Sequence, residues 1–262
     1  SGKSAHLGEM AAAAAGLSPK GVQPKDRKNW QLIGRATPRS DIPSKVTGQA
    51  QFGMDIRLPG MLFAAVRMCP MLGGSASSMD TQAALALPGI TQVLKLDAWG
   101  GGTAGLAAVG KSTWQARQAV QAAQVQWQAP KSGALDTAQI QAALLNSLNT
   151  ENGFTFYEQG VPAQAEKAAA KRIDALYQAP YLAHATMEPM NCTAQVKDGQ
   201  VEIWVPTQVP QMARAMAAKV AGVKEEQVTV HVTLLGGGFG RRLDVDFVAQ
   251  AVQVAMACAG AP

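Results

Sequence analysis

The chain has 262 residues, 47% of them apolar and 16% charged, enough for one large domain or two modest ones with real cores; this excludes a disordered tail or a disulfide miniprotein. The charged share lies below the usual value of about 25%, which points to large buried surfaces, some of them against a partner chain or further sequence. The net charge of +5 comes without a basic stripe interleaved with aromatics, which argues against a nucleic-acid footprint and leaves Lys20, Lys25, Arg27 and Lys28 as a solvated basic linker.

In chain order, Gly8 to Leu17 reads as an Ala-rich helix stopped by Ser18-Pro19. Its run Ala11 to Ala15 is short, follows Glu9 and lacks a basic lead into a longer apolar core, so it is not a signal peptide. A Pro- and Lys-bearing linker runs to Lys28, and a compact domain is expected from about Trp30. The stretch Val46 to Val66 is strand-like, with Ala50 to Met54, a turn at Leu58-Pro59-Gly60, and Met61 to Val66 as a buried strand. Asp80 is placed to cap a helix over Thr81 to Ala86, ended by Pro88-Gly89. A strand (Val93 to Leu96), the Gly100-Gly101-Gly102 loop, a strand (Leu106 to Val109), a helix (Thr113 to Ala123) and a strand (Val125 to Gln128) follow.

Lys131 to Gly160 reads as a connector holding one amphipathic helix, Asp136 to Leu148, with Ile140, Leu144 and Leu148 on one face. Beyond it come a strand (Arg172 to Gln178), a hairpin (Cys192 to Val196, Asp198-Gly199, Gln200 to Val205), a helix (Gln211 to Ala221), a strand (Gln227 to Leu234), the Gly236 loop, and a helix over Asp244 to Ala259. Asp-Gly between alternating segments is a hairpin signal, because both turn positions need positive φ. Helices and strands mix without a repeat, so the fold class is α+β. Cys69, Cys192 and Cys258 are odd in number and far apart, with no Cys-x-x-Cys and no His at ligand spacing, and read as small core residues. No apolar stretch reaches the roughly 18–20 residues that span a bilayer.

Three glycine motifs compete for a nucleotide or anion. Gly105 to Ser112 fits the phosphate-loop pattern, but its interior Leu106 to Val109 is the most strand-like piece nearby, and a loop cannot also be the strand. Gly100-x-Gly102-x-x-Gly105 fits the dinucleotide fingerprint but leads into a strand, with no acidic residue about 20 positions on. The third, Gly236-Gly237-Gly238-Phe239-Gly240-Arg241-Arg242, follows a clean strand and precedes a helix. Consecutive glycines suit positive φ or a close approach, successive N–H groups can form an anion nest, and Arg241 and Arg242 would add fork-like donors for phosphate or oxo groups. The alternative is a tight strand-to-helix turn.

The stretch "LLGGGFGRRLDVDFVAQAV", with "APYLAHATMEPMNCTA" and "VEIWVPTQVPQ" upstream, resembles the molybdopterin-binding large subunit of the xanthine dehydrogenase and aldehyde oxidase family, nearest its isoquinoline 1-oxidoreductase branch. "SDIPSKVTGQAQFGMDIRLPGMLFAAV" and "LPGITQVL" resemble that family's α/β hammerhead domain, and the apparent phosphate loop falls on its segment "AAVGKSTWQARQAV". The resemblance implies a helix and linker over 1–29, a hammerhead domain over 30–130, a connector over 131–170 and the first part of a molybdopterin-binding domain over 171–262. It implies hydroxylation of an N-heterocycle or oxidation of an aldehyde at molybdenum, with water as the oxygen source. Molybdopterin in its cytosine dinucleotide form is the implied cofactor, with electrons leaving to a small subunit carrying a 2Fe-2S centre and on to a cytochrome c acceptor.

Carried over residue by residue, Gln208 matches the amide that hydrogen-bonds a molybdenum oxygen ligand, and Gly237, Gly238, Phe239, Gly240 and Arg241 match the loop lying against the pterin. His184 and Glu188 match a segment near the cofactor domain's interior, where His184 is read as packing or hydrogen-bonded support, and Met187 and Met190 as core filler. The family's general base is a Glu in a later part of the subunit, which no Glu here matches. The chain is therefore expected to be an internal fragment, inactive alone, with the remainder of the large subunit as its first partner. Relatives of this branch are often periplasmic, an address that would lie upstream of Ser1. Two other classes remain: a non-catalytic assembly module on the same scaffold, and a phosphate-loop protein relying on Lys111.

Overall fold

The computed structural model describes residues 4–18, 20–148, 153–258 and 260–262. It divides into two units, Ser1–Ala50 and Gln51–Pro262.

The first unit carries helix α1 (Leu7–Ala15) and the short α2 (Ile42–Val46). His6 caps α1: its Nδ1 accepts from the Gly8 N–H at 3.3 Å while Glu9 Oε2 accepts from the His6 N–H at 3.2 Å. The helix ends two residues before the expected Leu17, and Pro19 of the expected stop lies outside the described residues.

Among the described residues, the second unit holds three sheets. Strands β1 (Phe63–Met68), β4 (Gly105–Gly110) and β3 (Ile90–Leu96) form an antiparallel sheet with β4 in the centre. Strand β2 (Ser75–Asp80) pairs antiparallel with β5 (Gln124–Gln128). Strands β6 (Thr193–Lys197), β7 (Gln200–Val205) and β8 (Val228–Val232) form the third sheet, with β6–β7 antiparallel and β7–β8 parallel. The helices are α3 (Gln82–Leu85), α4 (Thr113–Ala122), α5 (Thr137–Ser147), α6 (Pro162–Ala168), α7 (Pro210–Ala221) and α8 (Asp246–Ala257), completing the mixed α+β class expected.

Every residue of β4 is buried. Leu106 and Ala108 face Ala119 and Val120 of α4, while Ala107 and Val109 pack with Leu96 and with Val254 of α8. A strand covered on both faces reads as a continuous apolar run. This disposes of the phosphate-loop reading: Gly105 to Gly110 is strand, the Lys111 N–H donates to the Gly89 carbonyl, and Ser112 Oγ caps α4 by accepting from the Gln115 N–H. The dinucleotide-like motif fails as expected, since its last glycine opens β4 with no room for a Cβ against the Arg67 carbonyl.

The main core sits between the third sheet and its helices, where Val201, Ile203 and Val205 pack on Ala213 and Ala217 of α7 and on Val248 and Val252 of α8. The β6–β7 turn has φ of +50° at Asp198 and +72° at Gly199, as the Asp-Gly signal requires. Helix α7 starts with Pro210 and stops at Gly222 in the left-handed region.

Several expectations are corrected. Residues 50–54 are not a strand: Phe52 makes a lone parallel bridge to Leu234, and Gly53–Asp55 is a 3-10 turn. Strand β1 lies at a sheet edge and alternates between half-buried and exposed residues, so it is not a buried strand. Residues 172–178 form no strand, because no neighbour among the described residues offers them a ladder; Ile173 and Tyr177 are exposed. The apolar stripe of α5 is open, with Leu144 and Leu148 exposed. Strand β2 and helix α6 had no expectation. Helix α8 begins at Asp246 rather than Asp244, and Ala259, its expected end, lies outside the described residues.

Candidate functional site

Because β7 and β8 run parallel, in register from Val201 opposite Val228 to Val205 opposite Val232, their carboxyl ends open at the same edge. Ligand crevices in sheets of this kind form outside those ends. The segment Pro206-Thr207-Gln208 leaves β7 there, and the loop Gly236 to Arg242 follows β8.

The loop backbone needs its glycines. Gly237 has φ +98° and Gly240 φ +92°, outside what most side chains accept, and Phe239 itself sits at φ +51° with its ring exposed. A Cβ on Gly238 would come within 2.8 Å of Gln208 Oε1, so the Gln208 amide lies directly beside the loop. Main chain holds Gln208 in place: its N–H donates to the Arg242 carbonyl at 3.1 Å, while its side chain is exposed and has no hydrogen-bond partner among the described residues.

The Gly236 N–H donates to Glu188 Oε2 at 2.9 Å, and the Arg241 N–H donates to the Gly238 carbonyl at 2.9 Å. Between them, the N–H groups of Gly237, Gly238, Phe239 and Gly240 have no acceptor among the described residues. Four consecutive unpaired donors with an amide alongside form a surface for an acceptor-rich group, such as an oxo ligand or a phosphate.

The two arginines are not the free forks expected. Arg241 makes a bidentate pair with Asp246, at 2.9 and 2.8 Å, and that bond raises its pKa. Arg242 is 0% exposed and points inward; burial pulls its pKa down, and the adjoining Glu188 carboxylate opposes this. Its Nε donates to the Gly237 carbonyl at 2.7 Å, Nη1 to Pro206 at 3.2 Å, and Nη2 to both the Glu188 carbonyl at 2.9 Å and Glu188 Oε2 at 2.8 Å. The loop also does not run straight into a helix: a 3-10 turn, Arg241–Leu243, comes before α8.

Of the upstream segment, Glu188 is buried and central, whereas His184 is exposed beside Gly240 and has no hydrogen-bond partner among the described residues, so it supports nothing in the way expected. Met187 is 93% exposed rather than core filler, while Met190 does pack on the main core. An open cleft of about 620 Å³ adjoins the loop, lined by Gly100, Gly101, His184, Thr186, Arg241 and Asp246. The expected site residues thus converge on one edge, with Gln208 beside Gly238 and Arg241 turned aside to Asp246. Residue reasoning missed the role of Glu188 and the inward turn of Arg242. The available signal was a lone carboxylate in an apolar stretch and an Arg doublet in which only one member can face out.

Residues 146–262 match the family model described as the molybdopterin cofactor-binding domain. The chain is 34% identical to the isoquinoline 1-oxidoreductase subunit beta of Brevundimonas diminuta over 95% of this chain and 32% of that protein. It is 25% identical to the xanthine dehydrogenase molybdenum-binding subunit of Escherichia coli O157:H7 over 79% of this chain and 32% of that protein. Among solved structures, quinoline 2-oxidoreductase from Pseudomonas putida 86 superposes with a TM-score of 0.65 at 21% identity, covering 87% of this chain and 34% of that one, a likeness of fold. The chain spans about a third of the length of the curated relatives named here.

Proposed function

The chain is a relative of the molybdopterin-binding large subunits of the xanthine dehydrogenase and aldehyde oxidase family, and from that premise we propose that it is part of a molybdenum hydroxylase subunit that oxidises an N-heterocycle or an aldehyde with water as the oxygen source. The observation that carries this reading is the row of four unpaired N–H groups, Gly237 to Gly240, with the Gln208 amide beside it. Those donors suit the phosphate and oxo acceptors of a molybdopterin cofactor, and the glycines let the group lie against the backbone.

In this reading, bound molybdenum supplies the oxidising centre, and the chain binds and polarises. The loop N–H groups would hold the cofactor's acceptor atoms, and the Gln208 side-chain amide beside Gly238 would offer one further donor to them. Exposed Phe239 shields that edge from water. Glu188 is no candidate base, since Arg242 and two N–H groups occupy its carboxylate; the base belongs to another part of the subunit. The cofactor's cytosine dinucleotide form, a small subunit with a 2Fe-2S centre and a cytochrome c acceptor complete the proposal. By itself the chain is inactive.

The test is Gln208→Ala in the full subunit. Its side chain is exposed and unpaired, so stability should change by less than about 0.5 kcal/mol. Turnover should fall by about 10²–10³-fold, the usual cost of losing one charge-stabilising donor. Unchanged turnover at full molybdenum content would contradict the role.

A further inference from the structure

The unpaired N–H groups of the loop point the right way only because the other ends of their peptide units are held. In a trans peptide the C=O and the following N–H point in opposite directions. The Gly236 carbonyl accepts from the Glu188 N–H at 3.0 Å, which turns the Gly237 N–H away from Glu188. The Gly237 carbonyl accepts from Arg242 Nε at 2.7 Å, which turns the Gly238 N–H away from the buried guanidinium. The Glu188 carboxylate in turn fixes Arg242 through Nη2 and anchors the loop's start at the Gly236 N–H. Its second oxygen, Oε1, accepts from the Met54 N–H at 3.0 Å, joining the Gly53–Asp55 turn to the same point. One carboxylate and one guanidinium thus tie together the Gly53–Asp55 turn, residues 186–188, the exit of β7 and the glycine loop.

We propose that Glu188 and Arg242 are positioning residues that aim the loop's N–H groups at the cofactor before it binds. Neither side chain touches the bound group; each acts through the peptide planes of Gly236 to Gly238. The inference rests on the cofactor reading above.

A purely structural ion pair makes a different prediction. Replacing both members of a buried pair by apolar residues of similar size commonly restores stability, whereas removing one leaves a buried charge unmatched. In the full subunit with its partners, Glu188→Leu and Arg242→Met singly should lower the unfolding temperature. The double variant should regain much of that loss and yet carry at least about tenfold less molybdenum and pterin per folded subunit, the scale seen when groups orienting a metal site are removed. A double variant that recovers stability and full loading together would overturn the proposal.

Amide exchange in the cofactor-free wild-type subunit decides the point even if the variants do not fold. The Gly236 and Met54 amides should exchange as slowly as the β7 amides, and those of Gly237 to Gly240 fast. Fast exchange at Gly236 and Met54 would mean the clamp does not exist before loading, and would overturn the proposal. Wild-type subunit isolated with its partners from its source cells and found free of molybdenum and pterin would instead overturn the cofactor reading itself.

Discussion

Gly237, at φ +98°, is the loop position where a side chain would strain the backbone most, while a Cβ there would meet its nearest neighbour only at 3.5 Å. Gly237→Ala should therefore cost about 1–2 kcal/mol through backbone strain rather than collision. The strain is relieved by turning the peptide that the cofactor needs, so the measurement is molybdenum content per folded subunit, expected to fall. That Gln208 and the glycines come together was legible in the sequence, since their types and order carry the resemblance, and their role is the one proposed above. The inward turn of Arg242 was not, because neighbouring arginines look alike until a buried carboxylate 54 positions upstream selects one. Cys192 gives a second residue-scale prediction. Burial pushes its thiol up to about 12, so it should resist alkylation at pH 8 when Cys residues of the unfolded chain react readily. Because the neutral thiol is the form the fold favours, the linked stability is complete below 9.0 and declines as pH rises towards about 12.

Strand β4 shows how an element can be identified from its pattern alone. Leu106 to Val109 is uniformly apolar, and the structure covers it with α4 on one face and with Val254 of α8 on the other. Leu106→Ala should lower the stability of this unit by about 2–5 kcal/mol, read as a fall in the unfolding midpoint of the intact subunit. Lys111→Ala, by contrast, should leave stability unchanged, and titration calorimetry should find no Mg²⁺-dependent ATP binding in either form. Strand β2 was not legible, because "SASSMD" has loop composition and becomes a strand only by pairing with β5. The strand expected at Arg172 to Gln178 failed in the opposite way: the apolar residues are there, but no ladder is formed among the described residues. The Gly53–Asp55 turn carries a further prediction, since a Cβ on Gly53 would lie 2.7 Å from the Pro206 ring, next to the carbonyl that Arg242 holds. Gly53→Ala should disturb the loop from outside it, lowering molybdenum loading and the unfolding temperature together.

At the scale of the whole molecule, much of the described chain lies open. Phe154, Phe156, Tyr177 and Leu182 are each at least 79% exposed, in segments without regular structure, and α5 has no buried residue. Apolar surface on that scale calls for a covering partner. With the chain spanning about a third of its curated relatives, the remainder of a large subunit is the partner we propose. The low charged fraction pointed towards such surfaces from composition alone, whereas their location required the fold.

The central claim is that this chain belongs to a larger subunit loaded with molybdenum. It is tested most directly by capturing the native polypeptide from its source cells with an antibody raised against this sequence, then measuring its mass and metal content. The account predicts a polypeptide of about three times this length, carrying molybdenum and pterin and accompanied by an iron–sulfur subunit. A native product of about this chain's own length, free of molybdenum, would contradict it and leave a non-catalytic assembly module as the better description.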